Sequence, residues 1–237
     1  MRLLSALLLA ALLPVAASAA DTRTPRTSHP MKIGIIGTGD IGGALARHWG
    51  AVGHELLISS RHPEELRGLA REIGPNVKVG TPREAAAFGD IVLVSVPYLA
   101  TPQVGRDYAE ELKGKVVLDT GNPYPGRDGE MANRDRQRGT GVASAEYLPG
   151  TRLVRAFNAI NAGPLANQAF AKPERLGIPL ASDDPEAMKV AAQLVSDAGF
   201  DPVPVGGLAR AREFDVGTPV YVRGMTAAQL RKALNLK

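Results

Sequence analysis

The 237-residue chain contains no cysteine. That excludes disulfides, a thiolate nucleophile and cysteine metal ligands, but it does not choose a compartment. Several catalytic signatures are missing as well. Neither Gly-x-Ser-x-Gly nor His-Glu-x-x-His occurs, since His54-Glu55 is followed by Leu-Leu-Ile, so serine-hydrolase and zinc-protease readings have no support. No tyrosine has a lysine four places on; Tyr98, Tyr108, Tyr124, Tyr147 and Tyr221 all fail, which argues against a short-chain dehydrogenase. No metal site is expected. Past the first stretch of the chain, no apolar run approaches the ~18 residues of a membrane span. Excess charge is small: 28 Lys and Arg against 24 Asp and Glu leave +4, which does not argue for nucleic acid. The densest basic stretch, residues 134–138, is interrupted by Asp135 and lacks interleaved aromatics, so it reads as a solvated helix face.

What is present begins with a leader. Met1-Arg2 supplies a positive start, residues 3–13 are apolar, and Ala17-Ser18-Ala19 is a small-residue cleavage pattern. Residues 1–19 therefore read as a signal peptide, making the protein periplasmic or secreted. The competing reading starts translation at Met31 and makes it cytoplasmic. Residues 20–30 are a polar, proline-punctuated linker without periodicity.

The centre of the chain is the stretch after that linker. An apolar run over residues 31–36 gives way to Gly37-x-Gly39-x-x-Gly42, and Ile41, Ala44, Leu45, His48, Trp49 and Val52 then follow at helical spacing. Strand, tight turn and helix in that order suit a diphosphate, whose charge is met by N–H groups at the helix N-terminus. A side chain at Gly37 or Gly39 would block the approach, and Gly42 lets helix and strand pack closely. Thr38, Asp40 and Ile41 complete the expected loop. About twenty residues on, where NAD-selective sites carry an acid, the second strand ends in Ser59-Ser60-Arg61. Hydroxyls and a permanently charged fork of donors suit the phosphate of NADP. His48, His54 and His62 read as structural or cofactor-edge residues rather than bases.

Strands and helices then alternate, which predicts an α/β fold with a doubly wound parallel sheet, a Rossmann-type dinucleotide-binding domain over residues 31–206. A small C-terminal helical extension, residues 207–237, follows Gly206-Gly207. The order 3-2-1-4-5-6 puts the first and fourth strands side by side, so Ser95, Val96 and Pro97 should face the glycine loop across one crevice. Tyr98, Asn122, Asn158 and Asn161, at or just past strand ends, are the substrate-pocket candidates. Residues 124–150 read as loop-rich. No side chain is singled out as an acid or base.

Gly37-Thr38-Gly39-Asp40-Ile41-Gly42, Ser59-Ser60-Arg61, Ser95-Val96-Pro97, Arg155-Ala156-Phe157-Asn158, the run from Ala198 to Val203 and Ala209-Arg210-Ala211-Arg212-Glu213 together resemble the NADPH-dependent coenzyme F420 reductase family over residues 31–215. The resemblance implies an oxidoreductase that moves a hydride between NADPH and a deazaflavin, coenzyme F420, as co-substrate. It implies that Thr38 to Ile41 and Ser60-Arg61 hold NADP, with Val96-Pro97 on the nicotinamide side. One departure is Glu65, where some members carry a basic residue four places after the arginine. Imine reductases and hydroxyacid dehydrogenases share such a first domain but add a long helical one; about thirty residues follow Gly206-Gly207 here, so a small C-terminal lid is expected rather than a second domain. The rival reading is a non-catalytic NADP-binding sensor or scaffold facing a partner protein. A small-molecule redox partner is expected; a homo-oligomer is left open.

Overall fold

The computed structural model describes residues 26–236 apart from residue 28, so the expected leader lies outside the described residues. The first half runs β1 (Lys32–Ile36), α1 (Asp40–Val52), β2 (Glu55–Ser59), α2 (Arg67–Ile73), β3 (Val77–Gly80), α3 (Pro82–Phe88) and β4 (Ile91–Val94). Then come α4 (Thr101–Asp107), α5 (Ala109–Leu112), β5 (Val116–Asp119), α6 (Pro125–Arg138), α7 (Thr140–Tyr147) and β6 (Arg152–Arg155). The chain closes with α8 (Ala162–Asn167), β7 (Gly177–Ala181), α9 (Pro185–Asp197), β8 (Asp201–Gly206) and α10 (Ala227–Ala233). Thr81 starts α3 with the expected capping box, its hydroxyl on the Glu84 N–H and the Glu84 carboxylate on the Thr81 N–H.

The strands form one eight-stranded sheet ordered β3-β2-β1-β4-β5-β6-β7-β8, parallel except where β7 runs against β6. This is the expected α/β doubly wound sheet, extended by two strands. Side chains alternate across it. Ile33, Ile35, Leu93 and Leu118 join Leu45, Trp49, Leu194 and Phe200 on one face, while Ile36, Val92, Val94 and Val117 meet Ala85, Leu112 and Leu148 on the other. The lone tryptophan, fully buried, donates from Nε1 to the Leu194 carbonyl at 2.8 Å and meets Phe157 edge-on, tying α1 to α9 and to the loop after β6. Beyond Gly206 the chain does not leave the body of the protein. Ala211, Phe214, Val220, Leu230 and Leu234 pack onto Ala181, Val203 and Val205 of β7 and β8.

Residues 124–150 are helical rather than loop-rich. α6 is polar on nearly every face and breaks at Gly129, whose φ is +59°. Its buried anchors are Asp128, Ala132 and Asp135, so it docks through carboxylates rather than an apolar stripe and leaves no helical hydrophobic period.

His54 ties the start of β1 to the far end of α9. Its Nδ1 accepts from the Met31 N–H at 3.1 Å, and its Nε2 faces Asp197 Oδ2 at 3.1 Å. Burial lowers its pKa below 6.5, outweighing the attraction of Asp197, and burial lowers that of His48 as well. A base held below its unfolded value binds fewer protons folded than unfolded, so acid favours unfolding. Urea unfolding should therefore show a lower midpoint at pH 5.5 than at pH 7.5, and His54→Gln should shrink that difference.

Candidate functional site

The site is built where β1 and β4 lie side by side, Ile36 opposite Val94, and where their following loops part. Gly37 sits at φ +94°, and an added Cβ would stand 2.3 Å from the Ser95 carbonyl oxygen. A Cβ on Gly42 would meet the Gly37 oxygen at 2.1 Å, so neither position admits a larger residue. Gly39 differs. An added Cβ there meets nothing within 4 Å, and Gly39 caps α1 without any side-chain hydrogen bond. The positive end of a 13-residue helix thus opens onto free space. The loop's shape is held from β2: the Ser59 carbonyl accepts from the Gly37 N–H at 3.1 Å and from the Thr38 hydroxyl at 3.0 Å.

A crevice of about 450 Å³ runs from this loop across the strand ends. Gly39, Asp40 and Ile41 form one end, with Ser95, Val96 and Pro97 facing them. Asn122 and Asn161 line its middle, and Phe157 and Ile160 supply apolar surface. Ser60 and Arg61 stand outside this crevice at the end of β2, with Arg61 exposed.

Three expected residues are placed elsewhere. Ser59 is buried and donates its hydroxyl to the Ile35 carbonyl at 2.7 Å, so only its backbone shapes the site. Tyr98 is buried behind the crevice, edge-on to Tyr147, because the 3-10 turn after Pro97 carries its ring inward. Burial, reinforced by Asp135, pushes its phenol far above the ordinary 10. Asn158 is turned under the floor by Phe157, which holds φ +58°, and its carbonyl accepts from Asn122 Nδ2 at 2.8 Å. The Asn158 amide and Asn122 Oδ1 are buried without a partner among the described residues. Such orphans are rare in proteins and mark this floor as chemically unfinished.

Sequence reasoning missed the outer wall. Tyr124, Arg127 and Tyr221 also line the crevice, and the Tyr124 and Tyr221 hydroxyls are hydrogen-bonded to each other across its mouth. Tyr124 was within reach, since it follows Asn122-Pro123 at a strand end. Tyr221 lies 97 residues further on and carries no local signal. Burial, then its bond to Tyr124, pushes the Tyr221 phenol above its ordinary 10, so it stays protonated at neutral pH.

Beneath the site lies Arg155, fully buried. Its Nη1 donates to Asp119 Oδ2 at 2.6 Å and its Nη2 to the Gly121 carbonyl at 2.7 Å, with Asp215 Oδ1 at 3.8 Å. Burial works against its charge, and the Asp119 and Asp215 carboxylates outweigh that cost. Asp119 Oδ1 in turn accepts from the Gly121 N–H at 2.8 Å. Asp119→Ala should therefore lower unfolding free energy by about 3–5 kcal/mol in urea titration, because it strands a buried cation.

Comparison with known proteins bears on the same stretches. The family model described as NADP oxidoreductase coenzyme F420-dependent matches residues 32–123. An F420-dependent NADP reductase of Methanothermobacter thermautotrophicus is 31% identical over 217 residues, 86% of this chain and 93% of the relative. The metalloreductase STEAP3 of Rattus norvegicus is 27% identical over 78% of this chain, which spans only 36% of that protein. Among solved structures, the hypothetical protein SMa0349 of Sinorhizobium meliloti matches with a TM-score of 0.73 and 27% identity, over 84% of this chain and 96% of that one.

Proposed function

Because the chain belongs to the family of coenzyme F420-dependent NADP oxidoreductases, we propose that it transfers a hydride between NADPH and a planar tricyclic acceptor of the deazaflavin class. The observation that carries this reading is the uncapped N-terminus of α1 opening onto the space above Gly39. That cradle suits a diphosphate, whose charge would be met by backbone N–H groups and the helix dipole. Ser60 and Arg61 directly follow β2, where the ribose phosphate of NADP would be read. Arg61 offers a charged fork, and the Ser60 oxygen accepts from the His62 N–H at 3.0 Å, which keeps its own hydrogen free to donate.

Bound NADPH supplies the hydride, and the protein's task is to hold donor and acceptor face to face and dry. Val96 and Pro97 suit the nicotinamide side. Asn122 lines the crevice, and its buried Oδ1, without a partner among the described residues, keeps acceptor capacity in hand. No side chain here needs to serve as nucleophile, which agrees with the absence of any such motif. Gly206-Gly207 is proposed as the boundary between the dinucleotide-binding domain and the C-terminal extension.

Purified protein should oxidise NADPH with an 8-hydroxy-5-deazaflavin, while NADH supports little turnover. FMN and a ferric chelate belong in the same assay, since one relative bears the name of a metalloreductase. Tight NADPH binding with no turnover on any of these acceptors would instead favour a sensor or scaffold. Arg61→Ala should weaken NADPH binding about 10- to 100-fold and leave NADH binding nearly unchanged, the loss of a charge-assisted contact of about 1.5–3 kcal/mol. Equal losses for both nucleotides would remove Arg61 from the reading.

A further inference from the structure

The crevice has a second wall besides the glycine loop. Tyr124 and Tyr221 face each other across the end of the crevice remote from the glycine loop, and each is held there by separate machinery. The Tyr124 N–H donates to Asp128 Oδ2 at 2.9 Å, and the Arg127 guanidinium lies 5.1 Å from the Tyr124 ring centroid. Arg127 is the cation nearest this end of the crevice, but it is no free charge. Its Nε and Nη2 both engage buried Asp128, at 2.9 and 2.8 Å, and Nη2 also reaches the Asn122 carbonyl at 2.7 Å. It acts as a flat brace that stacks on the phenol, not as an anion receptor.

Tyr221 is fixed from the other side. The next residue, Val222, holds φ +51°, a conformation a β-branched residue rarely adopts, and its N–H donates to the Ala159 carbonyl at 3.0 Å. Ala159 is two residues beyond Phe157, itself at φ +58° and part of the crevice lining. Two bulky residues in the left-handed region, Phe157 in the crevice lining and Val222 next to Tyr221, are linked through the Ala159 carbonyl. Strain of this kind costs about 1–3 kcal/mol per residue and persists where surrounding structure imposes it. Here it points a tyrosine from the C-terminal segment at one from the loop after β5. Tyr124 remains 39% exposed, so burial alone does not explain why an aromatic ring stands there.

We infer that Tyr124 and Tyr221 are the residues that bind the acceptor's ring system: their rings form the flat wall against which a planar tricyclic ligand lies, and their joined hydroxyls part to admit it. This deepens the proposed function and rests on it for the identity of the donor, but the wall's selectivity is measurable without turnover. Arg127, spent on Asp128, contributes flatness and not charge, so recognition is by ring stacking. FMN and a bare 8-hydroxy-5-deazaflavin should accordingly bind with similar strength despite their different side-chain charge.

The test is equilibrium binding of FMN and of the deazaflavin, followed by ligand fluorescence in the presence of saturating NADP. Tyr221→Leu and Tyr124→Leu, which keep apolar volume on two independent elements, should each weaken both ligands about tenfold. Tyr221→Phe, which retains the ring, should bind within about threefold of the unsubstituted protein, and NADP affinity should stay within about twofold in all three. Ring ligands bound equally by the leucine variants would overturn the inference. So would loss of NADP affinity in step with theirs, or no binding of either ring ligand at millimolar concentration. Tyrosine-dependent ring binding without hydride transfer would leave the wall standing and sink the oxidoreductase reading instead.

Discussion

A fully buried guanidinium has to be answered on several sides at once, and the way Arg155 is answered organises the whole floor of the crevice. Taking the ion out of water costs several kcal/mol, about as much as its attraction to Asp119 can return, so the pair is weak as a source of net stability. Its value is in what it fixes. The guanidinium spans the ends of β5 and β6, grips the Gly121 carbonyl at the crevice floor, and faces Asp215 from the C-terminal segment. Asp215 also accepts the Thr140 N–H at 3.0 Å at the start of α7. One buried charge therefore sets the relative positions of two strand ends, one floor loop, one helix and the tail that carries Tyr221.

That rigidity lets the surrounding loops hold conformations they would not choose alone. Phe157 and Val222 occupy the left-handed region, and the Asn158 amide is buried without partners among the described residues. Each feature is unfavourable by an amount comparable to a sizeable part of a domain's net stability. They are tolerated because Phe157 packs against buried Trp49 and Val222 is bonded to Ala159. Phe157 lines the crevice, and Asn158 lies beneath its floor.

The two halves of the crevice differ in construction. The glycine-loop end is made of backbone: an uncapped helix start, a tight turn at Gly37 and the Ser59 carbonyl that holds it. Backbone surfaces of this kind suit a ligand part that is always the same, such as a diphosphate. The far end is made of side chains from segments about a hundred residues apart, and side chains can be exchanged without rebuilding the sheet.

The amino-acid sequence by itself determined the sheet and the glycine loop. Apolar runs such as Ile91–Val94 and the helical spacing after Gly42 are local patterns, and the strand-turn-helix at Gly37 to Gly42 is written within a dozen residues. Ser60-Arg61 and Pro97 could be located because each directly follows a strand whose place in the order is set by alternation. Side-chain direction was not legible in the same way. Whether Ser59, Tyr98 and Asn158 face the crevice or the interior depends on single φ/ψ choices at the turns before and around them, which no periodicity reports. The helices of residues 125–147 were hidden because α6 docks through Asp128 and Asp135, which leave no apolar stripe at helical spacing. Only the tertiary structure decided that Tyr221 meets Tyr124, because that contact is made by the packing of the tail onto β7 and β8 and not by any signal near either residue.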